Sequence, residues 1–358
     1  MENTTKIGIS VEKRSESVDR RVSVAPMMDW TDRHCRFFLR QFSPSVLLYT
    51  EMIHAAAIIR GDRARLLQYA PQEQPLAIQL GGSEPAALAE AARIAADAGY
   101  REVNLNCGCP SERVQAGSFG ACLMLDGARV AECVAAMKAA VRIPVTVKLR
   151  VGVVLRAEGA RSAELTAAAE RFDDTDWRAL EDFARGLVVA GADALIVHAR
   201  KAVLGGWSPH ENRSVPPLRF DVVERLREVL RGIPVVVNGG IRTREQALAA
   251  LGRFDGIMVG REAYHRPWLL AELEAEQAGR PLQPKVAIAR ILEAMQDYVL
   301  REQQAGTRPH AITRHMLGLL SGRPGAKELR HLLSAEVQRG LALDEVFKQA
   351  AGIAALAA

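Results

Sequence analysis

Eight short apolar runs punctuate the chain, at 22–26, 46–51, 76–80, 102–106, 145–149, 194–198, 235–238 and 256–259. Several are nearly continuous, as in Pro234-Val235-Val236-Val237, the pattern of parallel strands buried on both faces. Another, Glu102-Val103-Asn104-Leu105-Asn106, alternates polar and apolar with the two-residue period of a strand. Alanine-rich amphipathic stretches such as 84–99 and 127–141 lie between the runs and read as helices. Eight strand–helix units in about 250 residues predict an α/β fold, a (β/α)8 TIM barrel, over residues 21–275. A doubly wound sheet also alternates strands with helices, but eight repeats and no early Gly-x-Gly-x-x-Gly weigh against it.

Two stretches leave this rhythm. The segment at about 154–172 is rich in Ala, Glu and Arg and helix-prone. It follows the fifth strand on the face where barrels carry their chemistry. A lid, a partner contact and a disordered insert all suit it, and the composition favours a mobile insert. After Arg266-Pro267-Trp268 the strands stop, and 286–304 and 312–320 follow a helical pattern. Residues 283–350 are therefore expected to form a smaller, all-helical C-terminal domain. Residues 1–20 are charged, with no apolar signal core, and read as a flexible tail.

Composition narrows the class without naming a function. The 358 residues are 49% hydrophobic and 25% charged, ordinary for a globular chain. No apolar run approaches the roughly 18 residues of a membrane span. Five cysteines without a framework imply a reducing cytosol, hence a cytoplasmic protein. Cys107 and Cys109 have no second pair at ligand spacing, so no metal site is expected. A net charge of +5 permits an anionic partner such as nucleic acid, and equally a soluble protein that happens to be basic. The charge is locally concentrated: between Arg308 and His331, Glu328 is the single acid among Arg308, Arg314, Arg323, Lys327 and Arg330. Such a run can track phosphates or be a solvated helical face.

Chemistry in a barrel gathers at the C-terminal ends of its strands. There the sequence places Ala25-Pro26-Met27-Met28-Asp29-Trp30, Glu51, Gln79 with Gly81-Gly82, Asn104 and Asn106, Lys148 and Arg150, His198 and Arg200, Asn238-Gly239-Gly240, and Gly260-Arg261. The last two follow strands seven and eight, where glycine N–H groups and a helix N-terminus commonly hold a phosphate. Arg261 adds bidentate donors. Gln79 can bond a ring amide, and Lys148 can stabilise electron-rich ring atoms. Together these suit a phosphorylated heteroaromatic cofactor, FMN more readily than pyridoxal phosphate, for which no pyridinium partner is evident. Beyond the fourth strand, Gly108 and Pro110 set a tight turn around Cys109. The glycines of the loop 114–120 could hinge it over a ligand. Taken alone, Cys109 reads as proton donor, nucleophile or inert filler.

The ordered motifs resemble the tRNA-dihydrouridine synthase family, in its A-type subfamily, over about residues 21–340. The resemblance is carried by Ala25-Pro26-Met27-Met28-Asp29-Trp30-Thr31-Asp32-Arg33, Gln79-Leu80-Gly81-Gly82, Asn104-Leu105-Asn106-Cys107-Gly108-Cys109-Pro110-Ser111 and Gly117-Ser118-Phe119-Gly120-Ala121-Cys122-Leu123-Met124. Lys148-Leu149-Arg150, His198-Ala199-Arg200-Lys201 and Thr313-Arg314-His315-Met316 extend it. It implies an FMN enzyme that reduces the C5=C6 bond of tRNA D-loop uridines, usually at positions 20 and 20a, with NADPH. Pro26, Met27 and Met28 would contact the flavin through backbone, and Gln79 and Lys148 would bond its ring. His198, Asn238, Gly239, Gly240, Gly260 and Arg261 would complete that site.

The resemblance makes Cys109 the general acid at C5 as hydride reaches C6 from flavin N5, and gives Asn106 the target base. A thiol of ordinary pKa, about 8.5, holds its proton at neutral pH. His210 and Arg213, with Lys327 and Arg330 on the helical domain, fall where the subfamily contacts tRNA, and a monomer is expected. Three departures stand out: Cys107 where a small apolar residue is usual, His210 where lysine is common, and the insert. Two rivals share features of the sequence. A flavin barrel acting on a small pyrimidine would not need the basic helical domain, and a non-catalytic RNA-binding module would not bind flavin.

Overall fold

The computed structural model describes residues 18–111, 119–157, 159 and 161–357. Most of the expected tail, and most of the loop expected to hinge, lie outside the described residues. Eight parallel strands run in the order β1 (Val22–Val24), β10 (Gly256–Val259), β9 (Val235–Asn238), β7 (Ala194–His198), β5 (Val145–Arg150), β4 (Glu102–Cys107), β3 (Leu76–Gly81), β2 (Leu48–His54). The ring closes where Val24 N donates to Leu47 O at 2.9 Å and Leu47 N donates to Val22 O at 3.2 Å. Helices such as Pro85–Asp97 and Gly127–Ala140 wrap the outside, their alanines allowing close approach. This is the TIM barrel that the eight runs predicted.

Strand alternation sorts the side chains. Val103, Leu105 and Cys107 on β4, and Val145, Val147 and Leu149 on β5, join the large buried cluster between sheet and helices. Their neighbours Glu102, Asn104 and Asn106, with Thr146, Lys148 and Arg150, take the opposite side, into the lumen. The lumen wall elsewhere is apolar, with Ala25, Tyr49, Ala77, Ile196, Val236 and Met258 in one small cluster. Cys107 is thereby explained: it is fully buried core, and burial pushes its thiol up, away from reactivity.

The segment expected as a mobile insert is built as structure. β6 (Val153–Leu155) pairs in parallel with β8 (Ala202–Leu204). The helix Ser162–Glu170 packs Leu165 and Ala169 against Val203 and Trp207. The reason is periodic: two β-branched residues favour a strand, and apolar positions four apart make one helix face. This unit also engages Lys201, whose ammonium lies 2.7 Å from Asp176 and 5.5 Å from the Phe172 ring.

Helices alone follow Trp268, from Trp268–Ala278 and Pro284–Gln304 to Leu343–Ala357. They dock beside β1 through a polar seam. His315 is fully buried, with Nε2 3.1 Å from Asp32 Oδ2 and Nδ1 3.1 Å from Tyr264 OH. Arg314 donates to Asp29 O at 2.5 Å, and Trp30 stacks on Tyr264 at 4.5 Å. His34 Nδ1 meets Tyr298 OH at 2.8 Å. The seam joins two of the sequence motifs, 27–33 and 313–316, that lie far apart in the chain.

Candidate active site

The lumen mouth is organised around the turn after β4. Asn106 Oδ1 accepts from Gly108 N at 3.1 Å and from Cys109 N at 3.0 Å. Arg150 Nε donates to Gly108 O at 2.9 Å, and Ala121 N donates to Cys109 O at 2.9 Å. Four hydrogen bonds thus pin a turn whose cysteine is half-buried while Cys107 is fully buried. Cys109 Sγ lies 3.5 Å from Ser111 Oγ. Asn106, read from the family as the group that holds a base, also serves here to shape the cysteine turn.

Arg150 ties this turn to the next strand. It is 3% exposed, and its Nη1 donates to Lys201 O at 3.0 Å and Asn212 O at 2.9 Å. Burial draws its pKa down to about 10, with Arg213 and Arg200 adding to the effect while Cys109 opposes it. The same environment acts on Lys148, where burial and then Arg150 lower the pKa from 10.5 to about 8. His198 is held neutral by burial, reinforced by Arg150 and Lys148. Arg200 is depressed by burial, then by Arg261 and Arg242. Arg213 follows the same pattern, through burial and then Arg261.

These shifts describe one cationic rim. Among the described residues, no carboxylate forms an ion pair with Lys148, Arg200, Arg213, Arg242 or Arg261. Uncompensated positive charge in a recess invites an anion. The backbone offers a cradle beside it. Gly239 has φ +116° and Gly240 φ +71°. A Cβ on Gly239 would meet His198 Cδ2 at 2.7 Å, and one on Gly240 would strike Leu218. Gly260 differs, since an added Cβ would meet only Ala25 Cβ at 4.0 Å. Gly260 caps the short helix Arg261–His265. Asn238 is held by its Nδ2 donating to Met258 O at 2.7 Å.

The remaining expected residues are distributed around this centre. Gln79 is 1% exposed, with Oε1 accepting from Asn106 Nδ2 at 2.7 Å. Pro26 and Met27 are partly buried at the end of β1, and Met28 is 55% exposed. Thr31 Oγ1 fastens their turn, accepting from Met27 N at 2.9 Å, and Asp29 takes φ 65°. His210 and Arg213 are exposed, on and just before the short helix Glu211–Ser214. Lys327 and Arg330 are exposed one turn apart on the helix Ala326–His331, far from the thiol in sequence and in the helical C-terminal region. From the sequence, Arg150 and Arg200 have only strand ends and Arg242 has no role. The signal for the first two was the basic character of the fifth and sixth strand ends.

Comparison with known proteins places the chain in a family. The family model described as Dihydrouridine synthase (Dus) matches residues 23–353. A protein of Xanthomonas axonopodis pv. citri named tRNA-dihydrouridine(20/20a) synthase is 52% identical over 330 residues, covering 92% of each chain. One of the same name from Pseudomonas aeruginosa is 48% identical over 334 residues, covering 93% of this chain and 95% of its own. The chain belongs to the dihydrouridine synthase family. Among solved structures, a 2-naphthoyl-CoA reductase in complex with 2-naphthoyl-CoA shares the fold, with a TM-score of 0.52 and 12% identity. That match covers 75% of this chain and 52% of the reductase. Among the described residues no cluster of His, Cys, Asp or Glu could hold a metal ion. No helix among them is long and apolar enough to cross a membrane.

Proposed function

We propose that this protein reduces the C5=C6 bond of uridine in the tRNA D-loop, at positions 20 and 20a as its relatives' names state. FMN is the proposed cofactor and NADPH the reductant. The observation that carries the reading is the half-buried Cys109 thiol, pinned by Asn106 and Arg150 beside a cationic recess.

The residues present fit a phosphorylated flavin. The rim supplies cations without acids, Gly239 and Gly240 supply backbone where side chains cannot fit, and Gly260 leaves room at a helix start. His198, Asn238, Gly239, Gly240, Gly260 and Arg261 would hold the phosphate end. Gln79, Lys148 and the backbone of Pro26, Met27 and Met28 would hold the ring. When bound, reduced FMN supplies hydride to C6 of the uracil.

The chain's own residues do the rest. Cys109 donates its proton to C5, and the developing charge on the uracil carbonyl is met by cations of the rim. Arg213, exposed and close enough to Arg261 to feel its charge, is placed to reach the base or its phosphate. A stacked base cannot enter the lumen, so the uridine must be flipped out. Recognition then rests on tRNA shape and phosphates, the role of His210, Arg213, Lys327 and Arg330.

The test pairs wild type with Cys109→Ala, each given NADPH and unmodified tRNA, with dihydrouridine scored by mass at every D-loop position. The variant is expected to bind flavin and to form product about 100-fold to 10,000-fold more slowly. Wild type that oxidises NADPH but leaves tRNA unmodified would overturn the reading.

A further inference from the structure

The lumen holds a polar chain of which the steps above use only the end formed by Gln79 and Asn106. It starts at the barrel floor, where Arg20 Nε donates to Glu102 Oε2 at 2.6 Å. Glu102 Oε1 accepts from Tyr49 OH at 2.5 Å and from Thr146 Oγ1 at 2.6 Å. Thr146 Oγ1 in turn accepts from Asn104 Nδ2 at 2.9 Å. Asn104 Oδ1 accepts from Gln79 Nε2 at 2.7 Å, and Gln79 Oε1 accepts from Asn106 Nδ2 at 2.7 Å. The chain ends where Asn106 Oδ1 takes the two N–H groups of the Cys109 turn. Glu102, Asn104 and Thr146 are fully buried, and Gln79 and Asn106 nearly so.

The direction of donation along this chain is forced from the floor and agrees with the mouth, where the N–H groups of Gly108 and Cys109 can only donate. A carboxylate can only accept, so the single Thr146 proton must point at Glu102. The hydroxyl oxygen is then left to accept, which turns the Asn104 amide nitrogen towards it. Asn104 must therefore show its oxygen to Gln79, and Gln79 its oxygen to Asn106. Asn106 is left with its oxygen facing Gly108 and Cys109. Each carboxamide has two orientations, and the floor carboxylate and the backbone N–H groups of the turn select the same one in all three. The same sense leaves Gln79 with its carbonyl engaged and one N–H free to present at the mouth.

Packing alone does not call for this arrangement. Much of the lumen wall is apolar, and a buried ion pair is often no more stabilising than hydrophobic residues of the same volume. We propose that the Glu102 carboxylate, paired with Arg20 at the floor, is a positioning residue for Cys109. Through Thr146, Asn104 and Gln79 it locks in place the Asn106 orientation that the Gly108 and Cys109 N–H groups also require, and so holds the turn that carries the thiol. Its catalytic meaning rests on the reading of Cys109 as proton donor.

The experiment compares Thr146→Val, Glu102→Gln, their double variant and Tyr49→Phe in the full-length protein. One readout is the alkylation rate of Cys109 by iodoacetamide, resolved by peptide mass spectrometry. The other is dihydrouridine formed in a single turnover from NADPH-reduced protein. Tyr49→Phe removes a floor hydrogen bond of similar length that is not part of the chain, and so controls for packing. Thr146→Val leaves the Arg20–Glu102 pair intact, so the proposal stays testable if Glu102→Gln fails to fold.

Thr146→Val and Glu102→Gln are each expected to raise Cys109 alkylation about threefold or more, as Asn106 loses the support of the chain behind it and the turn loosens. Turnover is expected to slow about tenfold or more, and the double variant to be no worse than the worse single one. Tyr49→Phe is expected to stay near wild type in both readouts. A Thr146→Val protein indistinguishable from wild type in alkylation would overturn the proposal. So would a Tyr49→Phe protein that matches the other variants. If wild type makes no dihydrouridine, the functional reading fails by itself, and alkylation still decides the relay.

Discussion

Replacing Lys148 by methionine keeps the aliphatic stem and removes an ammonium that the mouth holds at a cost. Burial and Arg150 draw its pKa from 10.5 to about 8. Holding the charged form at neutral pH therefore costs the folded state roughly 3 kcal/mol at most. The side chain is only partly buried, which reduces the figure to about 1–2 kcal/mol. The folded pKa lies below the unfolded one, so the cost is full below pH 8 and fades as pH rises to 10.5. Lys148→Met is therefore expected to be more stable than wild type by about 1–2 kcal/mol at pH 7, in urea unfolding of cofactor-free protein. The gap should narrow towards pH 10. The same variant should bind FMN at least about tenfold more weakly, because function uses the charge that stability does not. A variant no more stable than wild type at pH 7, or a gap that ignores pH, would refute this reasoning.

Other consequences can be measured with single changes. Gly239→Ala forces a residue at φ +116° against His198; it should lose about 1–3 kcal/mol and most flavin binding, read by unfolding and flavin fluorescence. Burial and Arg33 lower the His34 pKa from 6.5 to about 4. Its neutral form thus contributes stability that is present above about pH 6.5 and lost as pH falls towards 4. Wild type should lose about 1–2 kcal/mol through this group between pH 7 and pH 5, and His34→Gln should remove that part of the acid dependence. Alanine at both Lys327 and Arg330 should weaken tRNA binding and cut the slope of log affinity against log salt by about two, with flavin reduction by NADPH unchanged.

The comparison between chain and fold is sharpest at β4. Its alternation placed Glu102, Asn104 and Asn106 on one face, and no reading of residue types was needed for that. The partners of that face were not legible. Thr146, Gln79 and Arg20 come from other strands and from the first described residues, and their hydrogen-bond sense depends on who stands opposite. The segment at 154–172 shows the opposite case. Its composition suggested mobility, yet Val154, Leu165 and Ala169 find an apolar patch around Trp207 that only the folded loop after β7 creates.

Local pattern therefore determined the eight strands, the helices between them, the polar strand ends and the cysteine turn, because period and turn chemistry act over a few residues. Tertiary structure decided which thiol is buried and which faces the mouth, since β4 ends at Cys107 and the pinned turn beyond it, not the strand's alternation, carries Cys109. It also gathered Lys148, Arg150, Arg200, Arg213, Arg242 and Arg261 into one rim and perturbed their charges, because burial and Coulomb interactions depend on distances that no sequence spacing encodes.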